Sequence, residues 1–333
     1  RPPRSTLFPY TTLFRSIVVP TSILAAPLTL DWQRQIGTFQ DDVVNDLAID
    51  AAGNSYITGD TNGTLGGQSN AGMRDTCQLS LAADGTDRWT RVDGTPQDDT
   101  GIGVAATPAG ENYQTGWTNG GLGGGPFGMN DIHMLRFLSG GGATAGLAWG
   151  TSSFDSGQGI GVDSSANFYI AGQTGGNLNG QTGDGSSQAF VLKANSSGTP
   201  QWTRLLGSAT FASDLAADIA VDPATGTSTL AGFTGGNLAA TSAGGNDAFA
   251  ARYDTNGNQL WTAQLGSSGS DTAWSVAIDP SGNSYITGEA GGSIGGRSPH
   301  SGCSGGGFAD HAPTPPPPPG PPRGGPGAPP ARQ

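Results

Sequence analysis

The sequence predicts an all-β protein, a β-propeller of about five four-stranded blades. Three features point there: abundant glycine, a strand signature that returns about every 57 residues, and one tryptophan strand in each period. Among 333 residues there are 58 Gly and a single lysine, Lys193, and no Leu/Ala/Glu/Lys-rich stretch that would build helices. Val, Ile, Phe, Tyr and Trp come instead in short runs, suited to cores between stacked sheets.

The signature is an aromatic or aliphatic strand ending in glycine. It reads SYITG (55–59), NYQTG (112–116), FYIAG (168–172), STLAG (228–232) and SYITG (284–288), the final glycines lying 57, 56, 60 and 56 residues apart. A Gly-rich loop follows each, starting at Thr61, Thr118, Thr174, Thr234 and Ala290. Ahead of the signature stand alternating runs closed by tight turns, DLAID-AAGN, DIAVD-PATG and SVAID-PSGN, which give the first strand of a hairpin and its turn. A third strand follows the Gly-rich loop, as SQAFVLKAN and NDAFAARYD, and its turn leads into a strand carrying Trp32, Trp89, Trp149, Trp202 or Trp261. Four strands per period is one blade.

Strands of the form AID-xxGN-SYITG, followed by TGGxLGG-like loops, DAFAARYD and LWTAQLG, resemble the bacterial SBBP β-propeller repeat family over residues 31–296. The resemblance implies a secreted or cell-surface bacterial protein with no established catalytic activity. The repeat segments are expected at about 31–86, 87–145, 146–200, 201–259 and 260–296, with the last lacking its third strand, so that the blades form an open arc or an incompletely closed ring.

The ends read differently. Thr6–Ser16 (TLFPYTTLFRS) looks like a translated sequencing adapter, and residues 1–16 are set aside. Residues 17–30 read as a leader or linker with a secretory apolar stretch, and 297–333 as a disordered Pro/Gly-rich tail, either a polyproline spacer or the product of a frameshift. No apolar run reaches the 18 or so residues of a membrane-spanning helix.

Charge narrows the partners. Residues 17–296 hold 8 basic and 25 acidic groups, a net of −17. Such a surface repels phosphate backbones and anionic membranes, which argues against nucleic acid and leaves protein or carbohydrate ligands. The chain is expected to be a monomer or a piece of a longer chain. Cys77 and Cys303 form no disulfide framework or zinc pattern.

The candidate chemistry is sparse. Asp42, Asp99, Asp155, Asp214 and Asp271 recur eight residues ahead of the hairpin Asp or Thr. They read either as a ring of carboxylates suited to calcium or as loop caps accepting backbone N–H groups. Asp254-Thr-Asn256-Gly-Asn258 reads as a hairpin turn, since it lacks the later Gly and Glu of a calcium loop. His133 occupies a third-strand column shared with Cys77, Phe190 and Phe249 and reads as a packed residue. The repeated Trp residues suit packing between blades. Trp117 and Trp274 fall outside that pattern and are the candidates for ligand contact. No nucleophile motif, catalytic cofactor site or metal-ligand cluster is visible. The expected function is a non-enzymatic binding or structural scaffold; the alternatives are a quinoprotein-like oxidoreductase, suggested by DTNGNQLWT, and a non-functional fragment of an adhesin-like protein.

Overall fold

Short β-branched and aromatic runs bounded by Gly, Asn and Asp fold into antiparallel strands of seven or eight residues. The computed structural model describes residues 30–208 and 212–294, and the backbone of 306–312. Residues 36 onward make one compact unit; of the unit before it, 1–35, only 30–35 are described, and these have no regular structure.

Five sheets follow one another along the chain. The first is β1 (Asp42–Ile49), β2 (Ser55–Thr61), β3 (Asp75–Leu81) and β4 (Asp87–Asp93). The second is β5 (Asp99–Ala106), β6 (Asn112–Thr118), β7 (Asp131–Phe137) and β8 (Ala143–Trp149). The third is β9 (Asp155–Val162), β10 (Phe168–Thr174), β11 (Gln188–Ala194) and β12 (Pro200–Leu206). The fourth is β13 (Asp214–Val221), β14 (Ser228–Thr234), β15 (Asp247–Tyr253) and β16 (Gln259–Leu265). The fifth has three strands, β17 (Asp271–Ile278), β18 (Ser284–Ala290) and β19 (Gly306–Ala312). Each sheet is an up-and-down meander, the arrangement of a propeller blade.

The structure corrects the expected boundaries in three places. Each of the four four-stranded sheets ends on its Trp strand instead of opening on it, because a tight hairpin such as Ala82–Thr86 ties that strand to the third strand before it. The segment Asp31–Gly37, read as a Trp strand, forms no strand. The fifth sheet does have a third strand, taken from within the segment read as a disordered tail: Gly306–Ala312 pairs with β18, and Phe308 is in register with Gly288 as Phe249 is with Gly232 and Phe190 with Gly172. The Pro/Gly-rich flanks of this short run obscure it. The rest of 297–333, and residues 1–29, lie outside the described residues.

The terminal glycine of the signature strand has a steric cause. The first strand of every sheet carries a β-bulge at Asn45, Ile102, Gln158, Ala217 or Trp274. Beside the bulge a first-strand carbonyl presses onto the glycine opposite. A Cβ on Gly59, Gly116, Gly172, Gly232 or Gly288 would lie 1.8–1.9 Å from the oxygen of Val43, Thr100, Ser156, Leu215 or Thr272. Backbone, unlike a flexible side chain, cannot yield there.

The core lies between sheets. Successive first strands lie against one another, and contact fades toward the fourth strands, so the first strands gather on the inner side. Tyr113, Ile132 and Trp149 of the second sheet pack with Ile160, Phe168 and Phe190 of the third. Tyr169 and Val191 of the third pack with Ile219, Leu230 and Phe249 of the fourth. Polar contacts cross the junctions between successive sheets. Asp46 accepts from the Val104 N–H at 2.8 Å, and Asp218 from the Val276 N–H at 2.9 Å. Trp89 and Trp202 donate their indole N–H to the carbonyls of Ser139 and Thr255 in the next sheet's hairpin, at 2.9 and 3.0 Å. Arg136 and Lys193 reach the equivalent carbonyls of Ser196 and Thr255, each at 3.0 Å.

Two outcomes follow from this packing. Gly172→Ala is expected to lower stability by about 2–3 kcal/mol in urea melts, whereas Gly140→Ala, where a Cβ meets nothing within 4 Å, shifts it by no more than about 0.5 kcal/mol. Equal midpoints for the two would contradict the bulge contact. Burial pushes the Asp46 carboxyl up to about 6, against the lowering effect of the Val104 and Leu47 N–H groups. The folded state then holds this proton more tightly than the unfolded chain, so its contribution to stability falls as pH rises from about 4 to about 6. Relative to the parent, Asp46→Asn should therefore gain stability between pH 4 and pH 7; a gap independent of pH would refute the assignment.

Candidate functional site

The repeated aspartates open each first strand, and at least one oxygen of each is taken by the chain itself, while Oδ1 of Asp99 and of Asp214 has no hydrogen-bond partner. Asp99 and Asp155 each accept the N–H of the residue four earlier, Thr95 and Thr151, at 2.6 Å, and that threonine's hydroxyl at 2.7 and 2.8 Å. Asp42 and Asp271 do the same with Thr38 and Ser267. Asp214 keeps the bond to the Ser208 N–H at 2.8 Å across the two-residue insertion of its loop. Asp42 Oδ1 also accepts from the Thr61 hydroxyl at 2.6 Å. Asp99, Asp155, Asp214 and Asp271 are fully buried and Asp42 is exposed. These hydrogen bonds describe the loop-capping arrangement. Burial raises the Asp155 and Asp214 carboxyls above the ordinary range; at Asp42 burial acts the same way but is outweighed by the Thr61 and Thr38 bonds, and the pKa falls.

A second buried set starts the third strands. Asp75, Asp131 and Asp247 each accept a loop N–H through Oδ2, while Oδ1 has no hydrogen-bond partner. That oxygen rests against the glycine after the Trp strand: a Cβ on Gly94, Gly150 or Gly266 would stand 2.2, 1.9 or 2.1 Å from it. In the sequence each of these glycines stands five residues before a first-strand aspartate. Among the described residues no three His, Cys, Asp or Glu side chains converge as a metal site.

The remaining acidic turns are structural. Asp50 and Asp254 each accept two backbone N–H groups of their own turns, and their second oxygens take the Asn54 and Asn258 amides. These donors outweigh burial and hold both carboxyls below the ordinary range. His133 is fully buried with Nε2 3.0 Å from the Thr100 carbonyl, and burial lowers its pKa, so it is neutral at pH 7. Burial, then the nearby Asp60 and Asp42, pushes the Cys77 thiol up to about 12, which removes thiolate chemistry.

The two candidate tryptophans do not share a site. Trp117 lies half-buried in β6, in the second sheet, and Trp274 is the bulged residue of β17, in the fifth. The bulge turns Trp274 out of the packed face, leaving it 53% exposed.

A cavity of about 650 Å³ opens instead along β12, between the third sheet's Gly-rich loop and the fourth sheet's outer hairpin. Its lining includes the carboxamides of Asn179, Gln181, Gln201 and Asn256, with Lys193 and Arg204 at its walls. Arg204 donates Nε–H to the Gly257 carbonyl and Nη1–H to that of Thr203, both at 2.8 Å; its Nη2 makes no hydrogen bond among the described residues. Arg204 stacks on one side of the Trp202 ring at 5.7 Å, and Gly257 lies so close to the ring that a Cβ there would meet it at 2.6 Å. Trp202 therefore serves as a packed wall. The pattern of amides becomes legible only once β12 and the Thr255–Asn256 turn are side by side.

No curated protein matches the chain. Two solved structures are similar to it: the Neurospora crassa Pan2 WD40 domain, at 12% identity over 74% of this chain and 75% of that one with a TM-score of 0.42, and YCF48 bound to D1 peptide, at 11% identity over 89% and 74% with a TM-score of 0.41. The SBBP beta-propeller repeat matches residues 31–67 and 260–295, so two segments of this chain of successive antiparallel sheets are SBBP-type β-propeller repeat segments.

Proposed function

We propose that the protein is a non-enzymatic binding scaffold, secreted or displayed at a bacterial cell surface, and that its ligand is a glycan chain held in the cavity along β12. The observation that carries this reading is the lining itself: four carboxamides around an open polar cleft offer paired donors and acceptors, which suit the vicinal hydroxyls of a sugar. Arg204 Nη2 adds a donor for a ring or carboxylate oxygen. Protein ligands fit less well, since the cleft presents little apolar surface for an anchor. The acidic body and the SBBP-type repeats support an extracytoplasmic setting and a scaffold role.

Titration calorimetry against a panel of neutral and uronic-acid oligosaccharides tests the proposal. Binding is expected for at least one, weakened about tenfold or more by Gln201→Ala combined with Asn256→Ala, both on exposed side chains. Binding that survives both substitutions, or none across the panel, would remove the cavity from consideration.

A further inference from the structure

Every internal junction joins two unlike faces. The leading face of a sheet, turned to the sheet before it, carries Val104, Ile160, Ile219 or Val276 at one first-strand position, and these are only 4–7% exposed. The trailing face, turned to the next sheet, carries Tyr56, Tyr113, Tyr169 or Thr229, then Thr58, Thr115, Ala171 or Ala231, all fully buried. The junctions also pair small with large. Gly161 on the third sheet's trailing face lies so close to Val221 of the fourth that a Cβ would meet its Cγ2 at 2.6 Å.

Among the described residues, no sheet lies against one face of each kind. On the first sheet Leu47 takes the place of Val104 and is 51% exposed, with Val44 and Ile49 beside it at 68% and 61%. On the fifth, Tyr285 takes the place of Tyr169 and is 44% exposed, and Thr287 and Ala277 are exposed as well. The apolar first-sheet face is thus unburied at positions that four other sheets cover.

We infer that these two faces bind each other between two copies of the chain, the fifth sheet of one against the first sheet of the other. The occupant is indicated by continuity with the interface inside the chain. Each open face is the counterpart of the other at four junctions already formed, and Ile49 against Ala277 repeats Val221 against Gly161. Such a contact is head-to-tail, giving a closed pair where the rotation permits and a longer series where it does not. This goes beyond the expected monomer or piece of a longer chain, because the sequence does not reveal which apolar residues stay exposed.

Sedimentation velocity of the full chain across the micromolar range tests the inference. The parent is expected to sediment above the 33.3 kDa of one chain, and Leu47→Glu or Thr287→Arg to return it to that mass with an unchanged circular dichroism spectrum. Each variant spoils one face and keeps the other, so a mixture of the two should recover a one-to-one dimer. Ile49→Lys replaces Leu47→Glu if that variant does not fold. A parent that stays at 33.3 kDa, an assembly that both variants leave intact, or a mixture that stays monomeric would overturn the inference.

Discussion

The structure depends on burying one sheet against the next. A four-stranded meander of this size cannot cover both of its own faces, so each sheet's aromatic and branched side chains are stable only because a neighbour of the same design lies against them. The Tyr, Phe and Trp columns serve that contact, and so does the alternation of small and large residues across each junction. The polar groups follow suit. Indole, guanidinium and ammonium donors at the outer edge end on the turn carbonyls of the following sheet, and Asp46 and Asp218 make the same kind of bond near the inner strands.

Close approach explains much of the glycine content. The bulge in each first strand sends a carbonyl toward the second strand, and only glycine tolerates it. The glycine after each Trp strand makes room for a buried carboxylate in three of the sheets, and Gly207 makes room for the Gln188 amide in a fourth. The bulged residue is exposed or only half-buried in every sheet, and that position varies from Asn45 to Trp274.

Much of this is legible in the sequence, because the period and the glycine-ended second strand are local patterns repeated five times and the Trp strand recurs in four of the sheets. The capping alternative for Asp42 and its equivalents is readable from the habit of Asp of accepting backbone N–H groups in loops. Three things were not. The bulge column, Asn45, Ile102, Gln158, Ala217 and Trp274, shares no residue type, so no pattern announces it. The β12 cavity is assembled from segments more than 50 residues apart, Asn179 and Asn256 among them. The strand Gly306–Ala312 keeps only a phenylalanine and small neighbours from its column, within a segment whose composition argues for disorder.

A double-mutant cycle across the junction of the third and fourth sheets tests the central claim most directly. Gly161→Ala alone should be destabilising through its clash with Val221, and Val221→Ala alone through the space it leaves. If the two residues meet as described, the pair should be more stable than the sum of the single changes by about 1 kcal/mol or more. Additivity to within about 0.3 kcal/mol would show that these sheets do not pack face to face, and the account built on that contact would fail.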